Sequence, residues 1–240
     1  MINSISTFKQ QLIGKLFTPK ENGLFLGKHI DSDQNIDLST PIDQANYVVF
    51  DTELTGLNFK NDSIVSLGAL KMTGGLINIG DHYYRIVEPR TELTGNSVVI
   101  HGITPSEASD WPDIKKILPE FLDFCGNSII VGHFVSVDLN FINSEMKRLY
   151  GYSLQNPAVD TFKMYQWIRQ MEEEVCAYHG GLSEVTDLIS LAKKYNIPVS
   201  QAHNSLDDAF VTAQLLQRFI SFLPKFGVKT VRDLMRISRQ

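Results

Sequence analysis

The stretch FDTELTGL, residues 50–57, most constrains how this chain can fold. It ends an apolar run at residues 47–50 and places two acids, Asp51 and Glu53, one residue apart. Alternate residues of a strand point to the same face, so the two carboxylates would share a face about 6.6 Å apart along the strand. Like charges this close repel each other, and neither is easily buried alone. Either the fold makes this pair tolerable, or these residues are not an ordinary strand.

Composition and charge set the broad class of the protein. The 240 residues are 43% hydrophobic and 20% charged, which is typical of a globular protein with a packed core. The net charge of −5 argues against a polycation that coats nucleic acid. It leaves a nucleic-acid enzyme open, because the local charge of a cleft matters more than the sum. The two cysteines, Cys125 and Cys176, form no CxxC pair and favour a reducing compartment.

The sequence offers no sign of a membrane segment. Its apolar stretches fall short of the ~20 residues that a membrane-spanning helix needs. The N-terminus lacks the basic start and sustained apolar core of a signal peptide. We therefore expect a cytoplasmic protein with no membrane partner.

The first part of the chain differs from the rest. Residues 1–45 are predicted to form an N-terminal extension that packs on the main domain or offers a partner surface. Within it, Phe8, Leu12 and Leu16 are spaced by four and predict a short helix over residues 5–17.

The remainder divides into a main domain over residues 46–222 and a helical tail over residues 223–240. The tail carries a basic run with several members at helical spacing: Lys225, Lys229, Arg232, Arg236 and Arg239. Two interpretations stay open for this run. It is a solvated helix face, or it is a patch that follows a nucleic-acid backbone.

The main domain begins with a β-rich half. After the run at residues 47–50, two further runs over residues 64–72 and 82–87 flank the Gly74-Gly75 turn and predict an antiparallel hairpin. Residues 88–104 are rich in turn-forming types and predict a loop over one edge.

Helices dominate the second half. Pro112 is predicted to open a helix whose apolar stripe is Ile114, Ile117, Leu118, Phe121 and Leu122. A buried strand is expected at residues 128–132, followed by a helix after Ser136. Further helices are predicted over residues 162–171, 182–195 and 206–222. Strands followed by helices predict an α/β architecture, with a mixed sheet flanked by helices.

The pair Asp51 and Glu53 has two interpretations. A short motif of this kind is often a turn with solvated acids. The alternative is that both carboxylates bind a divalent cation, because hard cations such as Mg²⁺ prefer oxygen ligands and a shared ion turns repulsion into attraction.

Two further acids are accounted for by helix formation alone. Asp138 would lie in the first turn of a helix capped by Ser136, where the helix dipole favours an acid. Ser205 with Asp208 three residues later resembles a capping box. His203 lies five residues before Asp208 and is not accounted for by capping; a histidine that titrates near neutrality is suited to general-base chemistry.

Taken together, these residues resemble the DEDDh family of 3′→5′ exonucleases. FDTELTGL resembles the first motif of the family, GHFVSVDLNF the second, and HNSLDDAFVTAQLL the third. IHGIT at residues 100–104 resembles a characteristic loop of the same family. The resemblance runs from about residue 47 to residue 220.

The resemblance implies a ribonuclease H-like fold with a five-stranded mixed sheet, and a metal-dependent 3′→5′ exonuclease that releases nucleoside 5′-monophosphates from single-stranded DNA or RNA. Two Mg²⁺ or Mn²⁺ ions are implied as cofactors. Asp51 would bridge them, Glu53 and Asp208 would help to hold one, and Asp138 would act in the outer shell of the other. His203 would be the general base.

The same resemblance suggests substrate contacts, which we predict at Thr52, Leu54, Leu57, His101 and Phe134. Leu57 would wedge against the terminal base or pack in the core. Two positions depart from the family pattern: Phe134 stands where asparagine is common, and Leu54 where threonine is common. These departures concern substrate contacts and leave the acids intact.

The implied partner is a single-stranded nucleic acid with a free 3′ end, with a polymerase or other protein and a homodimer as further candidates. An alternative function from another class is an adaptor that uses the exonuclease fold and recruits a partner through residues 1–45.

Overall fold

A five-stranded mixed sheet organises this chain, for which the computed structural model describes residues 36–93, 95–104, 110–176, 187–199 and 204–238. The strand order is β3-β2-β1-β4-β5. The strands are β1 (Asn46–Leu54), β2 (Ile64–Thr73), β3 (Leu76–Ile86), β4 (Ile129–Gly132) and β5 (Ala158–Asp160). The first three pair antiparallel, and β4 and β5 continue the sheet parallel to β1. The predicted α/β architecture is confirmed.

Helices cover both faces of this sheet. Their bounds are α1 (Gly95–His101), α2 (Ile114–Cys125), α3 (Ser136–Tyr150), α4 (Thr161–Cys176), α5 (Leu188–Lys194), α6 (Ser205–Phe222) and α7 (Val231–Ser238), with a 3₁₀ helix (Leu223–Phe226) before α7. None of the described helices has both the length and the apolar character needed to cross a membrane.

Strand β1 lies between two apolar layers. Tyr47 and Val49 belong to the layer formed with α4, α5, α6 and α7, whereas Val48 and Phe50 belong to the layer formed with α2 and α3. Because both faces of the strand are covered, the sequence reads as a continuous apolar run rather than an alternating one. By the same alternation Asp51 and Glu53 lie on the face of Tyr47 and Val49, toward α6.

Several elements differ from their predictions. Residues 88–104 were expected to be a loop but contain α1, whose seven residues are too few to show a helical period. Strand β3 begins at Leu76 rather than at residue 82, because its first half is an exposed edge that needs no apolar alternation. Strand β5 was missed because it has only three residues.

The helix predicted over residues 182–195 begins at Leu188, where the Asp187 carboxylate caps it by accepting from the N–H of Ser190 at 2.8 Å. Residues 182–186 and the helix predicted over residues 5–17 lie outside the described residues.

The two ends of the described chain lie against each other. The N–H of Ile42 donates to the carbonyl of Lys229 at 3.0 Å, and the N–H of Val231 donates to the carbonyl of Thr40 at 2.9 Å. In α7 the apolar residues Val231, Leu234 and Ile237 are buried in the core, and Arg232 and Arg236 are exposed. The division of the chain at residues 45 and 222 stays a prediction.

Candidate metal centre

Three carboxylates converge at the end of β1. Asp51 and Glu53 leave the same face of the strand, and Asp208 reaches them from the first turn of α6. One oxygen from each of the three carboxylates lies within 4.8 Å of the others. Glu53 and Asp208 are buried, and Asp51 is partly buried. The structure thus brings together three of the four acids that the sequence predicts as metal ligands.

A glycine on β2 lets α6 approach this closely. Gly68 pairs with Asp51 in the antiparallel register, and a Cβ built on Gly68 would lie 2.3 Å from the backbone nitrogen of Leu206. Beside it, the hydroxyls of Ser66 and Ser205 share a buried hydrogen bond of 2.8 Å. The first turn of α6 therefore rests directly on the backbone of β2, which places Asp208 opposite Asp51.

The cap of α6 differs from the predicted one. Asn204, not Ser205, is the N-cap residue, and its side-chain oxygen accepts from the N–H groups of Leu206 at 3.0 Å and Asp207 at 3.3 Å. Ser205 is instead buried inside the helix, where its hydroxyl meets β2. Capping by Asn204 therefore needs no carboxylate from Asp208, and capping does not account for the presence of this acid.

Replacing Gly68 by alanine is expected to destabilise the protein by about 1–3 kcal/mol, the usual cost of inserting a methylene into a packed interior. The added methyl group would overlap the backbone of α6 and push Asp208 away from Asp51. Thermal unfolding with and without Mg²⁺ measures both effects, since the displaced helix should also reduce stabilisation by the ion.

The matched control is Gly75→Ala, because a Cβ at Gly75 would meet no atom within 4 Å. If the two alanine variants unfold at the same temperature and respond equally to Mg²⁺, the close contact at Gly68 does not position α6.

Asp138 is not one of the three converging acids, but its charge acts on Asp51 and its side chain is held by β1. Its Oδ1 accepts from the backbone N–H of Thr52 at 3.1 Å and from the Thr52 hydroxyl at 2.6 Å. The helix that carries it, α3, begins after Val135, which makes no side-chain cap, so the predicted cap by Ser136 is wrong. Thr52, predicted as a substrate contact, is buried and fixes the orientation of this acid.

Burial and mutual repulsion raise the proton affinity of these acids. The pKa of Asp51 lies well above its ordinary value because of burial first and then the charges of Asp138, Glu53 and Asp208. Burial and the charges of Asp208 and Asp138 raise the pKa of Glu53 to about 7. Burial likewise raises the pKa of Asp138 to about 7, against the hydrogen bonds from Thr52, which lower it.

These residues fit a divalent metal. The donors are all carboxylate oxygens, which hard cations prefer, and their repulsion is relieved when a cation lies among them. The acidic cluster can therefore hold a divalent ion, with Asp51, Glu53 and Asp208 as the residues close enough to share it.

The predicted substrate contacts have different surroundings. Leu57 has 81% of its surface exposed, which rules out core packing. It is carried by a loop that Asp62 stabilises by accepting from the N–H of Asn58 at 2.8 Å. Leu54, in contrast, is partly buried against the apolar layer of α2 and α3. Phe134 is 37% exposed and lies two residues before α3.

The structure describes the side chain of neither histidine predicted for the site. His101 is the last residue of α1, and only its backbone is described. His203 lies outside the described residues, immediately before Asn204.

One acid near the site escaped the sequence reasoning. Asp160 ends β5, is buried, and is close enough to Asp138 to raise the pKa of that residue. Its Oδ1 accepts from the N–H groups of Phe134 at 3.1 Å and Phe162 at 2.9 Å. The signal was an acid that directly follows an apolar strand residue, as at Asp51, but the strand itself was too short to recognise.

Comparison with known proteins finds similar sequences and similar folds. A family model described as Exonuclease (RNase_T) matches residues 48–216. A DNA polymerase III PolC-type protein of Thermotoga petrophila is 31% identical over 201 residues, which cover 84% of this chain and 14% of the relative. The DNA polymerase III subunit epsilon of Aquifex aeolicus is 29% identical over 194 residues, which cover 80% of this chain and 90% of the relative.

Among solved structures, E. coli Exonuclease I in complex with a dT13 oligonucleotide is similar with a TM-score of 0.65 at 19% identity, covering 77% of this chain and 43% of that chain. The predicted ribonuclease H-like fold is thereby confirmed. The chain spans only 14% of the length of the PolC-type relative.

Proposed function

Since this chain belongs to the exonuclease family whose model matches residues 48–216, and within it to the DEDDh 3′→5′ exonucleases, we propose that it hydrolyses single-stranded DNA or RNA from the 3′ end. The products would be nucleoside 5′-monophosphates. The observation that carries the proposal is the convergence of the Asp51, Glu53 and Asp208 carboxylates within 4.8 Å, beside Asp138.

We assign Asp51, Glu53 and Asp208 as ligands of divalent metal, with Asp138 in the outer shell of a second ion. When bound, two Mg²⁺ or Mn²⁺ ions would stabilise the attacking and the leaving oxygen of an in-line displacement. Thr52 supports this role of Asp138, because its hydroxyl and N–H both donate to one carboxylate oxygen and orient the side chain.

His203 is our candidate general base. It would accept the proton of the attacking water, and along the sequence it precedes Asp208, an assigned metal ligand, by five residues. Leu57, which lies exposed on the loop after β1, is our candidate wedge against the terminal base, and His101 our candidate contact to the terminal nucleotide.

For partners we propose a single-stranded 3′ end and, as the protein partner, a polymerase in the cytoplasm. The relatives named as DNA polymerase III proteins support the polymerase, and the dT13 oligonucleotide in the E. coli structure supports the single strand. A homodimer and a partner surface on residues 1–45 remain predictions.

The test is the release of nucleotides from 3′-labelled and 5′-labelled oligonucleotides with Mg²⁺, with Mn²⁺ and with a chelator. We expect metal-dependent release of mononucleotides from the 3′ end. Replacing His203 with alanine should slow it by roughly 10²- to 10⁴-fold, the usual contribution of a general base.

The matched control is His82→Ala, because His82 is exposed on the edge strand β3. Absence of release with either metal would contradict the proposed function, and equal rates for the two histidine variants would contradict the role of His203. The same assay with DNA, RNA, duplex ends and dinucleotides ranks the substrates.

A further inference from the structure

An aromatic pair with one exposed ring lies near Asp138 and Asp160 and has no part in the metal centre. The rings of Phe134 and Phe162 lie 4.3 Å apart between centroids and are tilted by 36°. The imidazole of His133 packs edge-on against both rings, at 4.9 Å from Phe134 and 5.7 Å from Phe162. Phe162 is partly buried against the core, so that Phe134 presents the accessible ring.

The backbone around this pair is held in an unusual conformation. Phe134 has a φ of +56°, the left-handed region that a bulky residue rarely adopts. The Asp160 carboxylate compensates by accepting from the N–H of Phe134, and it also accepts from the N–H of Phe162. A single buried acid thus fixes both backbones and brings the two rings together. Strain of this kind occurs most often at functional sites.

The histidine beneath the rings is fixed as well. The Thr161 hydroxyl donates to the carbonyl of Gly132 at 3.2 Å, so it accepts from Nδ1 of His133 at 3.0 Å. This bond fixes the ring of His133, which is buried, and with it the support on which the Phe134 ring lies.

Phe134 lies about one helical turn before Asp138. The carbonyl of Phe134 accepts from the N–H of Val137, the residue before Asp138, at 2.9 Å. Lys163 follows Phe162 directly, and its charge acts on Asp160. An apolar ring and a cation close to Asp160 and Asp138 match the chemistry of a nucleotide, which joins a flat base to a phosphate.

We propose that the exposed face of Phe134, supported by Phe162 and His133, stacks on an unpaired base of the substrate strand. This inference rests on the proposed function and specifies its substrate: ends whose bases are free of a complementary strand. One ring with 37% exposure offers far less area than the ~800 Å² per partner of a stable protein interface, which favours a base over a protein as the occupant.

The proposal is tested with Phe134→Asn, which removes the ring but tolerates the left-handed backbone, and with Phe134→Tyr, which restores an aromatic face. Stacking is worth about 5- to 150-fold per base. We therefore expect Phe134→Asn to raise KM for a single-stranded oligonucleotide by that factor with little change in kcat, and Phe134→Tyr to behave as the wild type.

Oligonucleotides with one abasic residue at each of the last three positions identify the stacked base. The wild type should bind the oligonucleotide less tightly when one of these positions is abasic. Phe134→Asn should bind that oligonucleotide and the intact one equally well. Ile79→Ala, which shortens an exposed apolar side chain on β3, is the matched control. If the wild type cleaves but Phe134→Asn has the same KM as the wild type and the same response to abasic residues, the proposal is overturned. The exposed ring would then be assigned to contact with another protein.

Binding of a fluorescently labelled single strand, measured by anisotropy, separates this inference from the proposed function. A wild type that releases no nucleotides contradicts the function. Equal affinities of the wild type and Phe134→Asn for the intact strand contradict the stacking, whether or not the strand is cleaved.

Discussion

Replacing Asp51 with asparagine is expected to slow metal-dependent nucleotide release by about 10³-fold and, in the absence of metal, to raise the melting temperature of the protein. The pKa of Asp51 is raised first by burial and then by the charges of Asp138, Glu53 and Asp208. The amide keeps the shape of the side chain but removes one negative charge from the cluster. A site that is built to hold a cation is destabilised without one, so the variant should gain stability as it loses function.

The two effects have different magnitudes. Metal ions contribute several kcal/mol to the transition state, so loss of a ligand shared by the cluster should slow release by about 10³-fold. Relief of repulsion by about 1 kcal/mol would raise the melting temperature by roughly 2–4 °C for a chain of this size. Mg²⁺ should raise the melting temperature of the wild type and leave that of Asp51→Asn nearly unchanged.

The matched control is Asp207→Asn. Asp207 shares the first turn of α6 with Asp208 but does not belong to the converging group. This variant should keep its activity and its response to Mg²⁺. Release by Asp51→Asn within tenfold of the wild type, or a melting temperature below that of the wild type in chelator, would contradict the assignment of Asp51 to the metal centre.

The sequence was sufficient to predict the local half of the site. The period of a strand places Asp51 and Glu53 on one face, and the structure agrees. Spacing along the chain could not show that Asp208 meets them, because that depends on how closely α6 packs on β2. The missing side chain of Gly68 sets this distance, but a glycine within a strand also occurs at bulges and tight bends, so its presence alone does not predict a close approach.

The roles of the neighbouring polar residues depended on tertiary contacts. The side chain of Thr52 has the chemistry to bind a phosphate, but it is buried and donates to Asp138. The carboxylate of Asp160 links the segment that precedes α3 to the start of α4. Its hydrogen bond to Phe134 joins residues that are 26 positions apart in the chain. The capping predictions failed at Ser136 and Ser205 because a serine near a helix start has several hydroxyl partners to choose from, and at Ser205 the chosen partner lies on β2.

The free energy of unfolding of the metal-free protein is expected to fall as the pH rises from about 4.5 to 7, a dependence opposite to ordinary acid denaturation. Glu53 has an ordinary pKa of 4.5 in the unfolded chain and a pKa of about 7 in the folded protein. Below the lower value both states hold the proton. Between the two values only the folded state holds it, so a rising pH favours unfolding.

The size of this loss of stability and its relief by Mg²⁺ test the metal centre. The change in the pKa of Glu53 corresponds to about 3 kcal/mol of stability, lost as the pH rises from about 4.5 to 7. Mg²⁺ binds the ionised carboxylates, so its stabilisation should be small at pH 5 and large at pH 8. Denaturant unfolding of the wild type and Glu53→Gln across this range isolates the contribution, because paired acids elsewhere affect both proteins alike. Two results would show that the cation does not relieve repulsion at the end of β1. One is a difference in the free energy of unfolding between these two proteins that does not change with pH. The other is equal stabilisation of the wild type by Mg²⁺ at pH 5 and pH 8.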